Sequence, residues 1–150
     1  TLVGKYLGEE NPEKAESSIK ESLRGSFLIM GSVGIIFMCF SEYIVPLFTN
    51  DQLVITYAIP GLKFVGILQF VDAICFTLWF AMTGAGDTKI PAIVDVASHW
   101  ILFVPACYIS GIYLGYGFWG PWISFGLHLT FFSIFLFVRF KKGKWKTIKV

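Results

Sequence analysis

Gln69 and Asp72 stand three residues apart in a long apolar run, which puts an amide and a carboxylate on one face of a helix. An ionised carboxylate at the centre of a membrane helix costs at least ~2.5–3.5 kcal/mol, so it needs a partner or a task. Asp72 lies 12 positions before Gly84, about 18 Å along a helix and close to mid-membrane. In a wet cavity such a pair can take up a proton or a sodium ion; a hydrogen bond to a neighbouring helix is the structural alternative. Asp95 and His99 are one turn apart on one helix face. They can hydrogen-bond each other and line one end of a cavity. His titrates near neutrality, so a proton relay is one reading and a local polar pair near the interface the other. Lys63 precedes Asp72 by nine residues, about 900° of helix, so the two face opposite ways and Lys63 is expected to snorkel to the headgroups. His128 and Glu42 stand alone in their runs and read as packing or interfacial residues.

Enzyme chemistry finds no support. No nucleophile stands beside a base, no HExxH occurs, and no metal-ligand spacing is visible, so neither a catalytic residue nor a metal site is expected. Gly84-Ala85-Gly86-Asp87-Thr88-Lys89 lacks the spacing of a phosphate-binding loop and follows no strand. It reads as a helix stop, with Asp87 or Thr88 capping the next helix and Pro91 in its first turn. Cys39, Cys75 and Cys107 lie within apolar runs without CxxC spacing and read as small packing residues.

The elements that carry these residues follow from composition. The 150 residues are 55% hydrophobic and 15% charged, against about 25% charged in a soluble domain, and mean hydropathy is +0.69. Charge is concentrated in 5–24 and 139–149, which makes the bilayer the solvent for the stretch between. A net charge of +2 is too small to suggest a nucleic-acid partner. The fold class expected is all-α and integral to the membrane: four transmembrane helices over about 26–48, 53–83, 91–113 and 119–140. An amphipathic surface helix over about 11–25 precedes them, and a basic tail, 141–150, follows. Asn11-Pro12-Glu13 supplies a helix start, and Ala15, Ile19 and Leu23 an apolar stripe. Pro60-Gly61 marks a place for the long second span to bend.

Orientation follows from the loops. The turns near 49–52 and 111–118 hold no Lys or Arg, whereas the turn near 84–90 holds Lys89 and both chain ends are basic. The positive-inside rule makes the ends and the middle turn cytoplasmic in a multi-pass protein of the inner or plasma membrane. Tyr113, Tyr116 and Trp119 fall at the outer boundary and Trp145 beyond the inner one, as interfacial aromatics do. The chain opens on Thr1-Leu2-Val3-Gly4 without a secretory signal, and is expected to begin inside a larger protein.

Four segments resemble, in order, those of the multidrug and toxic compound extrusion (MATE) family. They are Thr1-Leu2-Val3-Gly4-Lys5-Tyr6-Leu7-Gly8 with the following acidic-basic helix, Leu47-Phe48-Thr49-Asn50-Asp51, Gly84-Ala85-Gly86-Asp87-Thr88-Lys89-Ile90-Pro91, and Gly115-Tyr116-Gly117-Phe118-Trp119-Gly120. The resemblance covers nearly the whole chain. It implies twelve helices in two six-helix lobes around a V-shaped cavity, and drug or metabolite efflux driven by entry of sodium ions or protons. Residues 1–150 would then be part of the C-terminal lobe, from the end of helix eight through helix twelve. Its partners would be the N-terminal lobe, the lipid bilayer and a small cationic or amphipathic substrate, with no cofactor beyond the coupling ion. Some members carry a cation-site Asp in a Q-x-x-D-A arrangement, matched here by Gln69-Phe70-Val71-Asp72-Ala73; Leu68 stands where those members often have Tyr. Two other readings are a lipid or polysaccharide flippase of the same superfamily, for which Lys63 is the cationic hint, and a self-contained four-helix membrane structural or interaction protein.

Overall fold

A computed structural model describes residues 1–147, which are predominantly helical, with no strand among them. α1 is Leu2–Gly8, α2 Pro12–Ile44, α3 Gln52–Gly84, α4 Lys89–Tyr113 and α5 Trp119–Lys141, followed by a 3₁₀ turn at Lys144–Thr147. Among the described residues, α2 to α5 are long and apolar enough to cross a membrane. An all-α membrane fold is therefore what this sequence forms. Lys149 and the end of the basic tail lie outside the described residues.

The surface helix expected at 11–25 and the span expected at 26–48 are one unbroken helix, α2, of 33 residues. Asn11 caps it, its Oδ1 accepting from Lys14 N at 3.1 Å. No helix breaker separates the charged turns from the apolar ones: Gly25 costs only about 1 kcal/mol inside a helix, too little to end one that packs on its neighbours. α3 starts on Asp51, whose Oδ1 accepts from Leu53 N at 2.8 Å, and runs on through Pro60. It stops at a glycine in the left-handed region, Gly86 with φ +80°. There Asp87 N bonds back to Met82 O at 2.9 Å and Gly86 N to Thr83 O at 3.1 Å.

α4 contains two π-helical stretches, His99–Phe103 and Ile109–Tyr113. Pro105 accounts for the first. It has no N–H to give and its ring crowds the carbonyl four residues back, at Ile101, so the preceding turn widens.

α2 and α3 form the most extensive contact, an antiparallel pair joined by a short turn. Glycine sets their distance. A β-carbon at Gly34 would lie 2.5 Å from Gly66 O, and one at Gly66 would lie 2.7 Å from Gly34 O. Lipid supplies no hydrophobic drive between helices, so close backbone approach through small residues supplies it by van der Waals packing.

The core sits at the end of the bundle where both chain ends meet. Val3, Ala15, Ile19, Leu78, Met82, Ala85, Leu136 and Trp145 pack there. Trp145, expected at the membrane interface, is instead fully buried. It stacks on Phe140 and donates from Nε1 to Phe140 O at 3.0 Å. The start of the basic tail is thereby folded back onto the bundle. Lys146 then pairs with Glu16 on α2. Hydrogen bonds from Lys146 and Lys20 hold the Glu16 carboxyl well below the usual carboxylate range. Elsewhere the large apolar side chains of α4, among them Ile93, Val96, Trp100, Ile101 and Ile112, are exposed. That is the surface a bilayer or further helices would cover.

Candidate functional site

α3 carries Gln69 and Asp72 half-buried on one face. The β-carbon of Gln69 lies 3.1 Å from the β-position of Gly34, so Gln69 faces α2. On the other side Ser133 Oγ of α5 donates to Val71 O at 3.4 Å. The pair thus occupies the strip of α3 between its two packing partners. Leu68 is buried, against Gly126 of α5. The cross-helix side-chain hydrogen bonds of α3 use Lys63, Thr77 and the Val71 carbonyl. Among the described residues neither Gln69 nor Asp72 joins them, so the interhelical bond that would make Asp72 purely structural is not formed within this chain.

Asp95 and His99 do meet. His99 Nδ1 is 3.3 Å from Asp95 Oδ1 and 3.2 Å from the Asp95 carbonyl oxygen, one turn apart on α4. A third residue joins them from α5. The His128 ring centroid is 4.1 Å from that of His99, and His128 Nε2 is 2.9 Å from Ser98 Oγ. Phe103 stands edge-on to His99 at 5.6 Å, and Phe132 lies parallel to His128 at 6.4 Å. A cavity of about 240 Å³ opens beside His128, walled by Phe103, Ser124 and Phe131 among others.

His128 was legible only as an isolated histidine, and no offset rule would have placed it. Ser98 and Ser110 are twelve residues apart on α4, yet they touch His128 and Ser124, only four apart on α5. Facing positions on these two helices do not follow a fixed register.

Two further charges find unexpected partners. Lys63 Nζ is 2.9 Å from Glu42 Oε1, so Lys63 bridges α3 to α2 near the end away from the core rather than only snorkelling. Asp87 does not cap α4, whose start has no side-chain cap. Its carboxylate accepts from Arg139 Nε at 2.5 Å and Nη2 at 2.8 Å, a bidentate pair in which Asp87 is 5% and Arg139 14% exposed. Arg139 therefore ties the α3–α4 turn to the end of α5.

Residues 1–109 match the family model described as MatE. The chain belongs to the MatE family. The matched stretch contains Asp72, Gln69, Asp95 and His99, and leaves His128 and Arg139 outside it. Similar proteins include the probable multidrug resistance protein NorM of Thermotoga maritima, 33% identical over 146 residues. The uncharacterized transporter YisQ of Bacillus subtilis is 27% identical, and multidrug and toxin extrusion protein 1 of Danio rerio 25% identical, each over 144 residues. These alignments cover 97%, 96% and 96% of this chain, but 32%, 32% and 24% of the relatives. The chain spans about a third or less of the length of the curated relatives it matches. As a MatE-family chain with membrane-spanning helices, it is part of a multi-pass membrane protein.

Proposed function

We propose that this chain is the C-terminal portion of a secondary exporter that expels a small cationic or amphipathic molecule in exchange for sodium ions or protons, and that Asp72, with Gln69, takes part in coupling. The observation that carries this reading is the MatE match over a segment that includes a half-buried carboxylate in an apolar span, with no hydrogen-bond partner among the described residues. Multidrug names among the relatives support the substrate class. The Lys63–Glu42 pair weakens the flippase alternative, because the one cation that hinted at an anionic substrate is neutralised by a neighbour.

In this reading a second lobe completes the cavity, and alternating access moves one half against the other. Full-length protein in liposomes is expected to export a cationic dye when an inward sodium or proton gradient is imposed, and to stop when an ionophore collapses it. The chain 1–150 alone should export none. Export that persists unchanged after the gradient is gone rejects ion coupling.

The proposed location is the cell membrane, with the core end of the bundle cytoplasmic. The basic residues Lys89, Lys5, Lys14, Arg139, Lys141 and Lys142 support that side as the inner one, while Asn50 and Tyr116 lie in turns without Lys or Arg. On a cysteine-free background, single cysteines at Asn50 and Tyr116 should react with an impermeant maleimide added outside intact cells. One at Lys89 should react only after permeabilisation. The inverse pattern overturns the orientation.

A further inference from the structure

Both histidines of this chain lie in one cluster, although they stand on different helices and 29 positions apart. Asp95, His99 and His128 each offer one ligand atom within 4.8 Å of the other two. A tetrahedron with metal–ligand bonds of about 2.0–2.1 Å sets its ligand atoms roughly 3.3 Å apart, so rotations of about 1–1.5 Å would close the three on an ion.

Hydrogen bonding already sets the His128 ring for that task. Ser98 Oγ donates its single proton to the Asp95 carbonyl at 3.0 Å, so it accepts from His128 Nε2–H and leaves the Nδ1 lone pair of His128 free. His99 Nδ1 already faces the Asp95 carboxylate oxygen at 3.3 Å, and coordination through Nδ1, with the ring proton on Nε2, would put both groups on one ion. For His128, one nitrogen held by a hydroxyl while the other is bare is the second-shell pattern of a metal-binding imidazole.

The charge is suitable as well. One carboxylate and two neutral imidazoles carry a net charge of −1, in a shell made apolar by Phe103, Phe125 and Phe132. A cation placed there would relieve the cost of an anion in an apolar span. Two nitrogens and one oxygen suit a borderline first-row divalent ion rather than calcium or magnesium, which favour oxygen donors.

We propose that Asp95, His99 and His128 form a binding site for one divalent cation of the zinc class, with a fourth position left open. The site lies between α4 and α5 and shares no residue with the Gln69–Asp72 pair, so it stands or falls independently of the export reading. Its open position makes the site one that exchanges ligand or ion, not a closed structural staple.

The full chain, purified in detergent without a polyhistidine tag and titrated with Co²⁺, tests it. One equivalent should bind with visible d–d bands of a tetrahedral or five-coordinate ion, and Zn²⁺ should displace it and erase them. His99→Gln, His128→Gln and Asp95→Asn should each weaken binding at least about 10-fold. His99 is half-exposed and its one hydrogen-bonding partner among the described residues is Asp95 on its own helix, so His99→Gln decides the question even if a substitution at buried His128 disturbs packing. Absence of the bands, bands unchanged in His99→Gln, or a sulfur-to-cobalt charge-transfer band marking a cysteine ligand would each overturn the proposal.

Discussion

Asp87→Ala should destabilise the helix bundle by about 3 kcal/mol, the lower end of the range for removing one partner of a buried ion pair. The Arg139 guanidinium would lose both of its charge-assisted bonds, at 2.5 and 2.8 Å, while most of its side chain stays away from water. The residual exposure of Arg139 lets some water in, which is why the lower end applies. The loss is also topological. Asp87 follows the left-handed Gly86, so the carboxylate is aimed by the same turn that ends α3, and Arg139 fixes that turn to the last turns of α5. Equilibrium unfolding in a denaturing detergent, followed by tryptophan fluorescence, should show an earlier midpoint for Asp87→Ala and for Arg139→Ala. The double variant with two apolar residues should lie closer to the parent than either single one, because it leaves no buried charge unpaired. A midpoint for Asp87→Ala indistinguishable from the parent would show that the pair contributes nothing.

On the proposed export function, Asp72→Asn is expected to abolish gradient-driven export by the full-length protein while leaving the bundle folded. Burial and a bound cation push a carboxylate in opposite directions, and a group poised between them can exchange a proton or sodium ion as the cavity opens to each side. Asparagine keeps the shape and the hydrogen-bonding oxygen but cannot change charge. Among the described residues Asp72 has no interhelical bond to lose, so folding should survive, in contrast to the variants at Asp87. The comparison to make is transport rate against the imposed gradient, with unfolding midpoint measured on the same preparation. A variant with the parent's midpoint that still exports with normal gradient dependence would make Asp72 a bystander. Asp72→Glu should restore part of the coupling, which a merely space-filling role would not predict.

Much of the architecture was legible because a bilayer simplifies the problem. Backbone groups have no water to bond to in hydrocarbon, so an apolar run of about 20 residues between polar turns can only be a helix. The turns at Thr49-Asn50-Asp51, Gly84–Lys89 and Gly115–Gly117 therefore marked three helix boundaries to within a few residues, and Asn11 was readable as a cap from type and position alone. The continuity of α2 was less legible. Charge patterning distinguishes a wet stretch from a dry one, but it places no break between them, and no Pro lies between 13 and 44.

What the sequence determined by itself is the set of local facts: which segments are helices, which faces carry Gln69 with Asp72 and Asp95 with His99, and which family the ordered turns resemble. These depend on neighbours within about four positions along the chain, where helical geometry is fixed. Only the tertiary structure decided which distant groups meet. Lys63 finds Glu42, Asp87 turns from its expected cap to Arg139, Trp145 leaves the interface for the core, and His128 joins Asp95 and His99. Each of these depends on how helices cross, and the crossing is set by glycine contacts such as Gly34 against Gly66 and by the widened turns ahead of Pro105. The spacing of residues along one helix carries no information about its rotation and offset against the next, and so these pairings were absent from the sequence pattern even though every member of them was in plain view.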